Sequence, residues 1–102
     1  MPKVESEYSD LDKYEYINGD IIYYKKGTDI KSNPYGPAYI GSNGYKGYWI
    51  EDKLHRLDGP AIIYGDCQEQ YFIDNKFLTK EQFEIHPERL KFLGKEHLIC
   101  LR

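Results

Sequence analysis

Two blocks of this chain are written twice with the same spacing, and that repetition limits the available folds more than any other feature. Gly36-Pro37-Ala38-Tyr39-Ile40 returns as Gly59-Pro60-Ala61-Ile62-Ile63, and Tyr48-Trp49-Ile50-Glu51-Asp52-Lys53 returns as Tyr71-Phe72-Ile73-Asp74-Asn75-Lys76. Both echoes are offset by 23 positions. Two independent blocks with one period indicate a tandem structural unit whose copies stack on one another. With 102 residues the chain has room for one domain and a thin core, burying roughly 60–65% of its unfolded surface.

The unit itself reads as a β-hairpin. Asn18-Gly19 divides Tyr14-Glu15-Tyr16-Ile17 from Asp20-Ile21-Ile22-Tyr23-Tyr24, two runs rich in β-branched and aromatic residues, and this is the signature of a hairpin with a type I′ turn. Ser42-Asn43-Gly44 and Gly65-Asp66 mark the corresponding turns of the later copies, with Tyr45 to Glu51 and Gln68 to Asp74 as returning strands. Pro37 and Pro60 fit only at a strand start or edge, because proline has no N–H to donate. Asp52 and Asn75 occupy equivalent positions in a second set of tight turns. Lys25 to Pro34, rich in turn formers, reads as a long loop between a divergent first unit and two regular ones.

After Leu78 the period changes. Thr79-Lys80-Glu81-Gln82 is a capping box that starts a helix, and Leu78 with Phe83 supplies a hydrophobic staple. Pro87 ends that helix or opens a second one over Glu88 to Phe92, which Gly94 stops. Leu90, Phe92, Leu98, Ile99 and Leu101 are available to cover the last hairpin. The expected fold is mainly β: an antiparallel meander of tandem β-hairpin repeats with a short C-terminal helical cap. Residues 1–12, carrying Glu5, Glu7, Asp10 and Asp12 but few apolar groups, are expected as a flexible acidic arm. The domain then runs 13–102, with units at about 13–33, 34–56 and 57–78 and the cap at 79–102.

Charge and hydropathy exclude several roles. A net charge of −3 opposes binding of extended nucleic acid, which needs a basic face. The mean hydropathy of −0.74 and the lack of a long apolar run give neither a membrane span nor a secretory leader, so a cytoplasmic location is expected. There two thiols, Cys67 and Cys100, stay reduced by default. Oligomeric state is not legible.

The concentrated polar constellation is His55-Arg56-x-Asp58 with Lys53 nearby. It can be drawn as an anion-recognising corner, with Arg56 bidentate to a phosphate or carboxylate and His55 beside it. It can also be drawn as turn chemistry before Gly59-Pro60, with Asp58 accepting backbone N–H groups and pairing with Arg56, and this drawing is preferred. No catalytic motif is present: Cys67 and His55 are not positioned by any pattern, and His55, His86 and His97 lack metal-ligand spacing. No enzyme, cofactor or metal is expected. Eleven tyrosines, one tryptophan and four phenylalanines suit a half-wet sheet, and they also suit a recognition strip. Alternation puts Tyr48 and Ile50 on one face and Trp49 on the other, with Tyr71, Ile73 and Phe72 repeating the arrangement.

The pattern Trp49-Ile50-x-x-Lys53-x-His55-Arg56-x-Asp58-Gly59-Pro60-Ala61, continued by Tyr71 to Lys76 and by Leu78-Thr79-x-x-Gln82-Phe83, resembles the short HRxDGPA repeats. These are similar to MORN and MORN-variant repeats and occur in bacteriophage, giant-virus and bacterial proteins. The resemblance spans Asn33 to Phe83; the first unit departs from it, with Ile21-Ile22-Tyr23 in place of the motif and Tyr35 at the position of Asp58. It implies a hairpin ladder used for binding, with no shared chemistry. The expected function is a non-catalytic protein that occupies a partner protein, as a phage- or bacterium-encoded inhibitor, antitoxin or anti-defence factor. Sequestering of a nucleotide signal and a structural assembly module are the alternatives. The expected binding residues are Tyr48, Trp49, Lys53, His55, Arg56, Tyr71 and Phe72, with Asp58, Gly59 and Pro60 as the structural turn.

Overall fold

A computed structural model describes residues 3–94. The expected His97, Leu98, Ile99, Cys100 and Leu101 lie outside the described residues. Ten strands run β1 (Lys3–Val4), β2 (Leu11–Glu15), β3 (Ile21–Lys25), β4 (Tyr39–Ile40), β5 (Lys46–Gly47), β6 (Trp49–Ile50), β7 (Lys53–Leu54), β8 (Ile62–Ile63), β9 (Glu69–Ile73) and β10 (Lys76–Leu78). Helices α1 (Lys80–Glu84) and α2 (Pro87–Phe92) follow. Eight strands form an antiparallel meander in the order β1-β2-β3-β4-β5-β8-β9-β10, and β6 pairs with β7 as a separate two-stranded ribbon. The meander with its helical end is therefore the fold that the hairpin signals and the capping box predict.

Hydrogen bonds define the repeat residue by residue. Three turns close alike: Gly19, Gly44 and Cys67 donate backbone N–H groups to the carbonyls of Tyr16, Gly41 and Tyr64. Inside each turn the Oδ1 of Asn18, Asn43 or Asp66 accepts the N–H two residues on, from Asp20, Tyr45 and Gln68. The left-handed position is the third residue of each turn, with φ of 95° at Gly19, 92° at Gly44 and 71° at Cys67. This corrects the type I′ expectation at Asn18-Gly19, which needs positive φ at both residues. Here only the glycine has it, as in a three-residue hairpin loop with a bulge. Type I′ geometry occurs instead in the second set of turns, where Glu51 and Asp52 have φ of 51° and 65°, and Asp74 and Asn75 have 51° and 69°.

That second set clips neighbouring units together. Asp52 donates its N–H to the Lys31 carbonyl and accepts the Lys31 N–H on Oδ1, both at 2.8 Å. Asn75 repeats both bonds on Leu54, at 2.8 and 3.3 Å. Lys31 thus stands where Leu54 stands. The long loop expected from Lys25 to Pro34 is in fact a turn ending at Ile30, bonded to the Lys25 N–H, followed by a bridge from Lys31 to Tyr24. Ser32 and Asn33 beyond it are buried parts of the repeat. The stretch from Gly19 to Lys31 is longer than its counterpart from Gly44 to Leu54, and the excess lies in this turn.

Two further expectations change. The run Tyr45 to Glu51 is two strands, because Tyr48 gives its N–H to Ala61 in the next unit and its carbonyl to His55 in its own ribbon. Residues 3–12, expected as a separate arm, belong to the sheet: Lys3 and Val4 pair with Tyr14 and Lys13, and Leu11 is 4% exposed. Contacts beyond their own composition hold them. Tyr8 stacks on Tyr35 at 4.8 Å, Glu7 accepts from the Tyr23 hydroxyl, and Asp12 accepts the Gly27 N–H and pairs with Lys3.

The core is thin and follows the repeat. Ala38 and Ala61 are fully buried at equivalent places, and Leu54, Ala61 and Ile62 pack with Tyr45, Tyr48, Trp49 and Phe72. At the C-terminal end the predicted capping box is formed, with Thr79 accepting from Gln82 N–H and the Gln82 side chain accepting from Thr79 N–H. Thr79 is the counterpart of Asn33 and Arg56, whose N–H groups reach Trp49 and Phe72 in the next unit. A helix cap therefore takes over where a further hairpin would attach. Phe83, 2% exposed, packs on Tyr71, and the Arg89 guanidinium lies 4.4 Å from its ring centroid.

Candidate functional site

The sequence motif His55-Arg56-x-Asp58 is built into the repeat as turn chemistry. His55 accepts the Asp74 N–H on Nδ1 at 3.0 Å, and in the preceding unit Ser32 Oγ accepts the Glu51 N–H in the same way. The Asp74 carboxylate also lies 3.4 Å from Nδ1. Arg56 Nη1 donates to the Pro60 carbonyl, as Asn33 Nδ2 donates to the Pro37 carbonyl one unit earlier. Its Nε meets Asp58 at 2.7 Å, and the guanidinium lies 3.9 Å from the Tyr48 ring centroid. A Cβ on Gly59 would come 3.0 Å from the guanidinium carbon, so the glycine makes room for the stacked arginine.

The expected binding residues are distributed over the molecule. Tyr48, His55, Arg56 and Asp58 line a groove of about 230 Å³ on the helix-bearing face, joined there by Tyr35 and Phe92. Trp49 lines a separate groove on the opposite face. Tyr71 lies against Phe83, and Phe72 packs edge-on against Phe77 at 5.6 Å. Lys53 is exposed at the ribbon. Gly59 and Pro60 shape the turn that Arg56 closes.

Several residues of the surface were not singled out by the sequence. Tyr35 and Phe92, each 57% exposed, flank the first groove. Arg89 joins α2 to the Asp58 loop through the Leu57 carbonyl and thereby sets Phe92 against it. Tyr39, Tyr45 and Tyr64 form an edge-to-face ladder over the second groove, with centroids 5.4 and 5.9 Å apart. Lys31 sits beneath them, 4.2 Å from the Trp49 centroid and 5.6 Å from that of Tyr39. The period offered no signal for the tyrosine ladder, since it sets Tyr39 against Ile62, Tyr45 against Gln68 and Gly41 against Tyr64. Nor did it offer one for Lys31, which lies in the turn-rich stretch.

Comparison of the chain with protein-family models, with curated proteins and with solved structures finds no match. No helix among the described residues is long and apolar enough to cross a membrane.

Proposed function

We propose that this protein is a non-catalytic binding protein that works by occupying a partner protein, in the manner of an inhibitor, antitoxin or anti-defence factor. The observation that carries the reading is the condition of the helix-side groove. Its polar groups are already engaged: His55 with Asp74, and Arg56 with Asp58 and Pro60. What it presents outward is aromatic, Tyr35 and Phe92, on a slab whose dimensions are 52 × 30 × 19 Å. Exposed aromatics beside a satisfied polar rim are the composition of a protein-binding surface. The ladder of clipped hairpins fits the use of HRxDGPA-type and MORN-like repeats, which the sequence resembles, as binding scaffolds.

The test is affinity capture with the tagged protein and with a Tyr35→Ser/Phe92→Ser double variant whose fold is verified by circular dichroism. Wild type is expected to retain a stoichiometric protein that the double variant releases. Equal capture by both, or turnover of a substrate by the purified protein alone, would overturn the proposal.

A further inference from the structure

Burial of a lysine in this sheet goes with a carboxylate partner in two cases out of three. Of the three half-buried lysines among the described residues, Lys13 and Lys25 have carboxylates, Glu7 at 3.7 Å and Glu51 at 2.8 Å. Lys31 has no carboxylate within 4.0 Å among the described residues; its ammonium rests over the rings of Trp49 and Tyr39. A partly desolvated cation held by aromatic faces keeps its charge available to an incoming anion, which replaces the missing counter-ion at little cost in reorganisation.

The space in front of it is a groove with aromatic walls. The groove on the face away from the helices measures about 540 Å³, within the ~300–1,000 Å³ usual for small-ligand sites. Tyr39, Tyr45, Tyr64 and Trp49 line it. Gly47 permits this closeness: a Cβ there would come 2.8 Å from Trp49 Nε1 and 2.9 Å from the Tyr45 hydroxyl. One carboxylate, Asp20, also lines the groove, but its oxygens already accept from Ser42 N–H at 2.8 Å, Tyr39 hydroxyl at 2.7 Å and Asn18 Nδ2 at 3.3 Å. Tyr39 separates the two charges, turning its ring to Lys31 and its hydroxyl to Asp20.

We infer that this groove binds a small ligand that joins an aromatic ring to an anionic oxygen group, of the nucleoside monophosphate class. The ring stacks among the tyrosines, and the phosphate meets Lys31. The site is independent of the partner surface around Tyr35 and Phe92, which lies on the other face.

Trp49, the chain's single tryptophan, lies in the groove and reports on it by fluorescence. Titration with adenosine monophosphate is expected to change its emission saturably. Adenosine without phosphate binds at least tenfold more weakly, and Lys31→Gln weakens the monophosphate at least tenfold. Lys80→Gln, on exposed α1, leaves it unchanged. Circular dichroism verifies the fold of each variant, and Tyr64→Ala carries the same test if Lys31→Gln does not fold. No saturable change at millimolar monophosphate, or equal affinity in wild type and both groove variants, would overturn the inference.

Discussion

Cys67 holds a left-handed backbone that its two counterparts assign to glycine. A side chain with a Cβ pays about 1 kcal/mol for that conformation, so Cys67→Gly is expected to stabilise the protein by roughly that amount, seen as a higher urea midpoint at unchanged slope. Two positions earlier the requirement is spatial. A Cβ on Gly65 would lie 2.1 Å from the Asn43 carbonyl oxygen in the adjacent turn, and Gly65→Ala should cost about 2–3 kcal/mol or shift both turns. The motif around Arg56 was legible as a constellation, and of the turn chemistry drawn for it the structure shows the Arg56–Asp58 pair. Its equivalence to Asn33 was not legible, because arginine and asparagine share no sequence likeness and only the common acceptor, a prolyl carbonyl, shows that they do the same task.

At the scale of the element, the ribbon turns bind each unit to the one before it. Asp52 and Asn75 combine a left-handed backbone with a side-chain acceptor, a pairing for which Asp and Asn are suited. The two contributions are separable by double substitution at one position. Asn75→Gly removes the acceptor alone and should cost about 1 kcal/mol, while Asn75→Ala also imposes strain and should cost about 1 kcal/mol more. Equal losses in chemical denaturation would mean that the backbone conformation carries no strain there. The helical end depends on Thr79, and Thr79→Ala should lower stability by about 1 kcal/mol through the lost cap. Sequence period located these turns and the capping box within a residue or two. It misjudged Lys25 to Pro34, since turn-forming composition cannot distinguish a free loop from a turn whose far side, Lys31 to Asn33, is bonded into the next unit.

The whole molecule is long and thin, with a radius of gyration of 15.3 Å against about 13 Å for a compact chain of this length. Such a shape leaves little deep interior, and tyrosine-carboxylate pairs contribute where aliphatic packing is sparse. This sets its response to pH. Hydrogen bonding from Gly27 N–H, with help from Lys3, holds Asp12 below its ordinary 3.8, and Ser42 N–H and the Tyr39 hydroxyl do the same for Asp20. Their stabilisation is complete above that value and is lost as pH falls through the lower folded-state values. Burial and the Glu7 bond raise Tyr23 above the ordinary 10.0; the Asp20 bond and burial raise Tyr39, and burial raises Tyr45. The unfolded chain ionises first there, so stability falls as pH rises past 10.0. Melting temperature should therefore be level near neutrality and decline on both sides, and Tyr39→Phe should lessen the alkaline decline. The sequence by itself determined the hairpin unit, its period and the helical end, because turn residues, strand propensity and capping act over a few neighbouring positions. Tertiary structure alone decided that residues 3–12 join the sheet, that Arg56 and His55 reach Pro60 and Asp74, and that Lys31 meets Trp49 and Tyr39 with no carboxylate beside it among the described residues. Those facts depend on contacts between units, where pairing across space outweighs the composition of either segment.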